Sequence, residues 1–247
     1  VTVGGDSGLI KVLAGAFPVT ALHTKHVPGF VRTSIRSLAS RARYAFRTYL
    51  RSRKAKSCQT PPVKQWDVAV FGFWSFSVHF DPSAGMIRDR YLIKLPDELL
   101  KVGLRTGWFA WLAPEMERDG EMGVDELISP LCRESRDVVL LQAFLTWQDI
   151  LVRSMDLRTC LVYLRALRSP EFLSVFLQGE FDLLPLFSTV LLRGFLDPNI
   201  MACEWIRLSV EKAARLFEPK IGISFFEHHP TARAFYSGVQ AARTNTI

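Results

Sequence analysis

The chain has 247 residues, 49% hydrophobic and 12% aromatic, which is enough to bury one large core or two small ones and excludes a globally disordered chain. Its formal net charge is +7, yet no Asp or Glu stands between Asp6 and Asp67 while Lys and Arg recur throughout, so the basicity belongs to one segment. Cys58, Cys132, Cys160 and Cys203 are too scattered for CxxC or another recognised metal spacing, no apolar run reaches the roughly 18 residues of a membrane span, and no secretory signal is visible. Reduced thiols in a cytosolic protein, with no metal, are the expectation.

Val1 to Gly5 reads as a short buried strand, Asp6 or Ser7 can cap a helix over Leu9 to Ala14, and Pro18 to Leu22 reads as the next strand. Phe30 to Lys56 is helical and strongly amphipathic, with Ile35, Leu38, Ala42, Ala45, Phe46, Tyr49 and Leu50 at helical spacing and arginines between them; Pro61-Pro62 follows its end. Asp67 to Phe73 is short and apolar enough for a fully buried parallel strand, and Phe80 to Arg88 reads as a loop at its C-terminal end, where open α/β sheets bind ligands. A helix is expected from about Arg90 to Lys101, closed by Gly103, then a strand over Leu104 to Leu112.

From about Gly123 to Phe217 the spacing turns helical, over Val138 to Val152, Leu157 to Leu167, Glu171 to Leu177, Leu183 to Leu192 and Asn199 to Phe217, punctuated by Pro170, Pro185 and Pro198. This segment reads as a helical insertion. Lys220 to Phe226 returns to strand, Glu227 to Pro230 makes a polar turn, and Thr231 to Arg243 is helical. The fold expected is α/β, a Rossmann-like parallel sheet with a large helical insertion. The opening without Met on Val1-Thr2-Val3 and the apolar start at Thr246-Ile247 suggest a fragment of a longer protein.

Arg88-Asp89-Arg90-Tyr91, Leu95-Pro96, Leu99-Leu100, Gly103 and Gly107 to Leu112 follow in an order that resembles the bacterial surface-carbohydrate biosynthesis family. Gly179 with Phe181 to Leu186 is similar to its Pro-containing helix start. Glu227-x-x-Pro230-x-x-Arg233-Ala234 is similar to its E-x-P-W-E-R-A turn, with Thr231-Ala232 in place of Trp-Glu. The resemblance implies the N-terminal, acceptor-binding domain of a GT-B glycosyltransferase, with a second, nucleotide-sugar domain absent from the chain. It implies glycosyl transfer from an activated nucleotide sugar to a surface polysaccharide or lipid-linked acceptor in capsule or lipopolysaccharide assembly, at the cytoplasmic side of the inner membrane. It places no cofactor in this half, the donor nucleotide sugar in the other, and little activity in this half alone.

Within that frame Glu227 is the first candidate for the base that takes the acceptor proton, and Asp89 the second. Candidate substrate contacts are Gly5, Asp6 and Ser7 at a helix N-terminus, Trp74, His79 and Asp81 after the Asp67 to Phe73 strand, Arg88 and Arg90 beside Asp89, and His228 and His229 beside Glu227. Each has a plainer structural reading. The glycines can form a tight turn, Glu227 and Asp89 can cap helices or pair with arginines, Trp74 can belong to the core, and the histidines can be solvated. Arg32, Arg36, Arg43, Arg47, Arg51, Arg53 and Lys54 can meet anionic headgroups if the basic helix lies on a membrane, or can face water if it packs on the sheet. A non-catalytic peripheral membrane or scaffold protein is the alternative function. A nucleic-acid module has no RRM, KH or zinc pattern beside the basic helix to support it.

Overall fold

A computed structural model describes residues 30–58, 66–74, 78–81, 86–92, 94–112, 137–156, 158–179, 181–224 and 229–244. The readings for the first two strands and the helix between them, for Gly5, Asp6, Ser7, Glu227 and His228, and for Thr246-Ile247 lie outside these residues.

Helix α1 (Phe30–Cys58) contains neither Gly nor Pro and many strong helix formers, which sustains 29 residues until the region of Pro61-Pro62. Strand β1 (Val68–Phe73) is buried over five of its six residues, as a central strand covered on both faces must be. The segment read as a loop instead forms an antiparallel hairpin, β2 (Val78–Asp81) with β3 (Met86–Asp89); Pro82 and Gly85 fall between the strands rather than dissolving them. Helix α2 starts at Leu95 and ends at Lys101, later than the sequence suggested, because Pro96 belongs in a first helical turn. Gly103 closes it at φ 77°, with its N–H on the Leu100 carbonyl at 2.9 Å and the Leu104 N–H on the Leu99 carbonyl at 2.9 Å.

After β4 (Thr106–Trp111) comes β5 (Val138–Leu140), then a 3-10 turn (Leu141–Phe144) and α3 (Trp147–Ser154). One helix was expected over Val138 to Val152. The apolar run Val138 to Leu141 instead adds a strand beside β4, and Thr146 restarts the chain as an N-cap. The remaining elements are α4 (Arg158–Ala166), α5 (Pro170–Ser174), the short pair β6 (Leu177–Gln178) and β7 (Phe181–Asp182), α6 (Leu184–Leu196), α7 (Pro198–Phe217), β8 (Ile221–Ser224) and α8 (Pro230–Thr244).

The protein is α/β, with a four-stranded parallel sheet in the order β5-β4-β1-β8. Numbered by their sequence, the four strands lie as third, second, first, fourth, a Rossmann-like order. Val68 to Phe73 pair in register with Thr106 to Trp111, and Val68 to Phe71 with Ile221 to Ser224. Alternate side chains feed two cores. Ala69, Phe71, Phe109, Trp111 and Val139 pack with Trp205, Ile206, Val210 and Phe217 of α7 and Phe235 of α8. Val68, Val70, Trp108, Ala110 and Leu140 form the second core, against which Leu99 of α2 packs.

The chain divides into two compact units. The larger comprises Ala42–Met155 and Asn199–Ile247, and Asp156–Pro198 belongs to the smaller. Thus β5, α3 and most of α7, expected in the helical insertion, lie in the sheet-bearing unit. In the smaller unit Tyr163, Leu192 and Leu196 are buried together, and Tyr163 stacks on Phe195 at 4.9 Å between centroids.

Candidate functional site

In an open parallel sheet the ligand crevice lies outside the C-terminal strand ends, where the strand order reverses, because the loops leaving the two neighbouring strands turn to opposite faces there. Here that point falls between β1 and β8. Chain leaving β1 passes by way of the hairpin and α2 to β4, and α2 lies against the second core. Chain leaving β8 enters α8, whose Phe235 lies in the first.

His229 occupies the N-cap position of α8: its carbonyl accepts the N–H groups of Ala232 at 3.0 Å and Arg233 at 3.3 Å. Its Nδ1 lies 2.7 Å from the Thr231 hydroxyl and 3.4 Å from the Thr231 backbone nitrogen. The ring meets Phe73, at the end of β1, edge to face with centroids 6.5 Å apart. At the end of β8 the Ser224 N–H donates to the Tyr236 hydroxyl at 3.2 Å, so about two turns further along α8 a phenol ties the helix to its strand. An imidazole, a threonine hydroxyl and a helix N-terminus therefore gather at the switch point, a set able to orient hydroxyls or an anionic group.

The candidate residues divide by location. His229 is exposed at this edge. Trp74 continues β1, its N–H on the Trp111 carbonyl at 2.9 Å, but its indole is only 3% exposed and belongs to the second core, which removes it as a sugar-stacking surface. His79, Asp81, Arg88 and Asp89 lie on the hairpin that follows β1, with His79 registered opposite Arg88 and Val78 opposite Asp89. Arg90 is exposed just beyond it. Arg36, Arg43 and Arg47 face solvent along α1, whereas Arg51 is 1% exposed and is turned into the packed side of the helix. Phe73, Thr231 and Tyr236 carried no sequence signal of their own. The His229-Pro230-Thr231 start of a helix is what draws Thr231 to the site.

Opposite this edge the sheet is tied by charge. The Asp67 carboxylate accepts the Arg105 N–H at 3.1 Å and the Lys220 ammonium at 2.9 Å, joining the entrances of β1, β4 and β8. The Arg105 bond first and Lys220 second hold Asp67 below the ordinary aspartate range. A cavity of about 750 Å³ lies near this edge, lined in part by Arg215, Glu218, Lys220 and Arg243. Its basic groups are already engaged: Arg215 with Glu211 at 2.6 Å, Lys220 with Asp67, and Arg243 with the Pro219 carbonyl at 3.2 Å. Among the described residues no three His, Cys, Asp or Glu side chains stand together as a metal site, and no helix is long and apolar enough to cross a membrane. No protein-family model matches the chain, and no curated protein or solved structure matches it significantly.

Proposed function

We propose that this chain is the acceptor-side domain of a GT-B glycosyltransferase of bacterial surface-polysaccharide assembly. The observation that carries the reading is the strand order β5-β4-β1-β8, which puts the switch point of the sheet between β1 and β8, where His229 at the N-terminus of α8 meets Phe73 at the end of β1. The order of the Arg88-Asp89-Arg90-Tyr91, Leu95-Pro96 and Gly107 to Leu112 segments supports it from the sequence side.

In such a transfer the acceptor hydroxyl attacks the anomeric carbon of the donor, a carboxylate or imidazole takes its proton, and the nucleoside diphosphate leaves. Glu227, two residues before His229, is assigned the base; Asp89, at the end of the hairpin after β1, is the second candidate. Arg88, Arg90 and His229 would hold an anionic or lipid-linked acceptor, and the donor would bind in a second Rossmann-like half.

The test uses the full-length protein with labelled nucleotide sugars and a lipid-linked oligosaccharide acceptor. Transfer is expected, and Glu227→Gln should lower kcat by about 10²–10⁴ while leaving acceptor affinity within a few-fold. Turnover unchanged by Glu227→Gln moves the base to Asp89 or His229. Binding of the acceptor without transfer from any donor leaves a binding protein and refutes the enzymatic reading.

A further inference from the structure

Helix α1 is packed against the fold by its less apolar side. Along its length from Ala42, the buried positions are Tyr44, Thr48, Arg51, Ser52 and Ala55, an i, i+4, i+7, i+8, i+11 stripe. Ser52 Oγ and Lys56 Nζ fasten this part of the helix to the Leu145 carbonyl, at 2.9 and 2.6 Å. The opposite face carries Arg43, Phe46, Leu50 and Arg53, an i, i+3, i+7, i+10 stripe that is exposed throughout. Phe46 is 61% and Leu50 47% exposed, which puts two large apolar side chains in water on the face opposite the buried one.

Charge decides what such a face suits. Phe30–Cys58 carries nine basic residues and no acidic one, against a net charge of +7 for the whole chain. An acid-free cationic stripe interleaved with exposed Phe and Leu fits an anionic, partly apolar surface: apolar side chains enter the acyl boundary while guanidinium groups stay with phosphates.

We propose that the Arg43–Phe46–Leu50–Arg53 face of α1 is an interfacial binding surface for anionic phospholipid bilayers. It does not depend on the glycosyltransferase reading, since it uses neither the switch-point crevice nor its residues. It also corrects the headgroup set inferred from sequence: Arg43 and Arg53 share the stripe, Arg47 flanks it, and Arg51 is excluded by burial.

The experiment is sedimentation of the 247-residue chain with extruded vesicles of phosphatidylcholine containing about a third phosphatidylglycerol, and with pure phosphatidylcholine. The expected result is binding to the anionic vesicles that falls when salt is raised from about 0.1 to about 0.5 M, which shortens the Debye length from about 10 to about 4 Å, and that is weak on phosphatidylcholine. Arg43→Glu with Arg53→Glu should weaken binding by at least about tenfold, since each basic group near an anionic surface contributes on the order of 1 kcal/mol. Phe46→Ser with Leu50→Ser should weaken it by a similar factor, and Arg43→Lys with Arg53→Lys should preserve it. All four positions are exposed, so unchanged thermal melting is expected for each variant. The proposal is overturned if the parent ignores anionic vesicles, or if the serine pair binds as well as the parent, which would reduce the effect to simple adsorption of a basic surface. It is equally overturned if the parent is a dimer that the serine pair converts to a monomer, which would make the face a contact between copies of the chain.

Discussion

At the scale of single residues the fold is most exposed to change where two aromatic layers close over a strand that lacks a side chain. A Cβ added at Gly107 would stand 1.8 Å from the Trp66 indole, which itself stacks on Phe217 with ring centroids 4.2 Å apart and lies 5.5 Å from Phe109. The indole has nowhere to retreat, since Trp66, Phe109 and Phe217 are all at most 4% exposed. Gly107→Ala should therefore cost about 3 kcal/mol or more, at or beyond the upper end of ordinary overpacking, read as a fall in the urea midpoint at unchanged slope. Gly107→Ala combined with Trp66→Leu should recover part of the loss, because it removes the clashing ring. Equal destabilisation by both variants would show that the strand itself, and not the ring above it, requires glycine.

Among the elements, α3 is the one whose placement rests most on a few polar groups. Thr146 accepts the Asp149 N–H at 3.1 Å, and Asp149 accepts the Thr146 N–H at 2.7 Å, a reciprocal cap; the same carboxylate takes the Lys212 ammonium of α7 at 2.6 Å. Burial pushes the Asp149 carboxyl up, but the bonds from Lys212 and Thr146 outweigh it and hold the group below the ordinary aspartate range. A depressed folded value means stabilisation that is present above the unfolded value and lost as pH falls through the folded one. Asp149→Asn should consequently cost about 1 kcal/mol at pH 7 and progressively less below about pH 4, so the urea midpoints of parent and variant should converge in acid. A constant difference from pH 7 to pH 3 would assign the loss to the amide's geometry. The same elements show what was legible in the sequence. Strands β1 and β4 were readable because buried parallel strands are short uninterrupted apolar runs, β8 because its half-buried Ile221 to Ser224 lies within a short run of strand formers, and α1, α7 and α8 because their apolar spacing persists over three turns or more. Strand β5 was not, since Val138 to Leu141 is equally compatible with a buried helix and only its pairing with Trp108 to Ala110 decides the matter. The hairpin was hidden for a related reason: its strands are four residues each and are interrupted by Pro82 and Gly85, so turn residues dominated the pattern. At the site, the chemistry-bearing His229 could be named from sequence, but Phe73 and Tyr236 become relevant only through the strand order, which is a tertiary fact.

For the whole molecule, the division into two compact units sets an unequal distribution of stability. The sheet-bearing unit has two cores on opposite faces of four strands, built from aromatic and β-branched side chains. In the helical unit the buried apolar residues among those described are Tyr163, Leu192 and Leu196, backed by partly buried Leu167, Phe172, Leu191 and Phe195. At its centre the Tyr163 hydroxyl donates to the Ser188 carbonyl at 3.2 Å. Removing one of three buried side chains takes away a large share of such a core, whereas the sheet-bearing unit retains both of its own. Leu192, fully buried, should on replacement by Ala lose on the order of 2–5 kcal/mol, enough to open a unit of this size locally. The measurement is native-state hydrogen exchange followed by mass spectrometry. In Leu192→Ala, peptides from α4 and α6 should exchange much faster than in the parent, while amides of β1 and β4 keep their protection. Uniform acceleration across all of these segments would show that the two units unfold as one, and that the small core is stabilised by the large one.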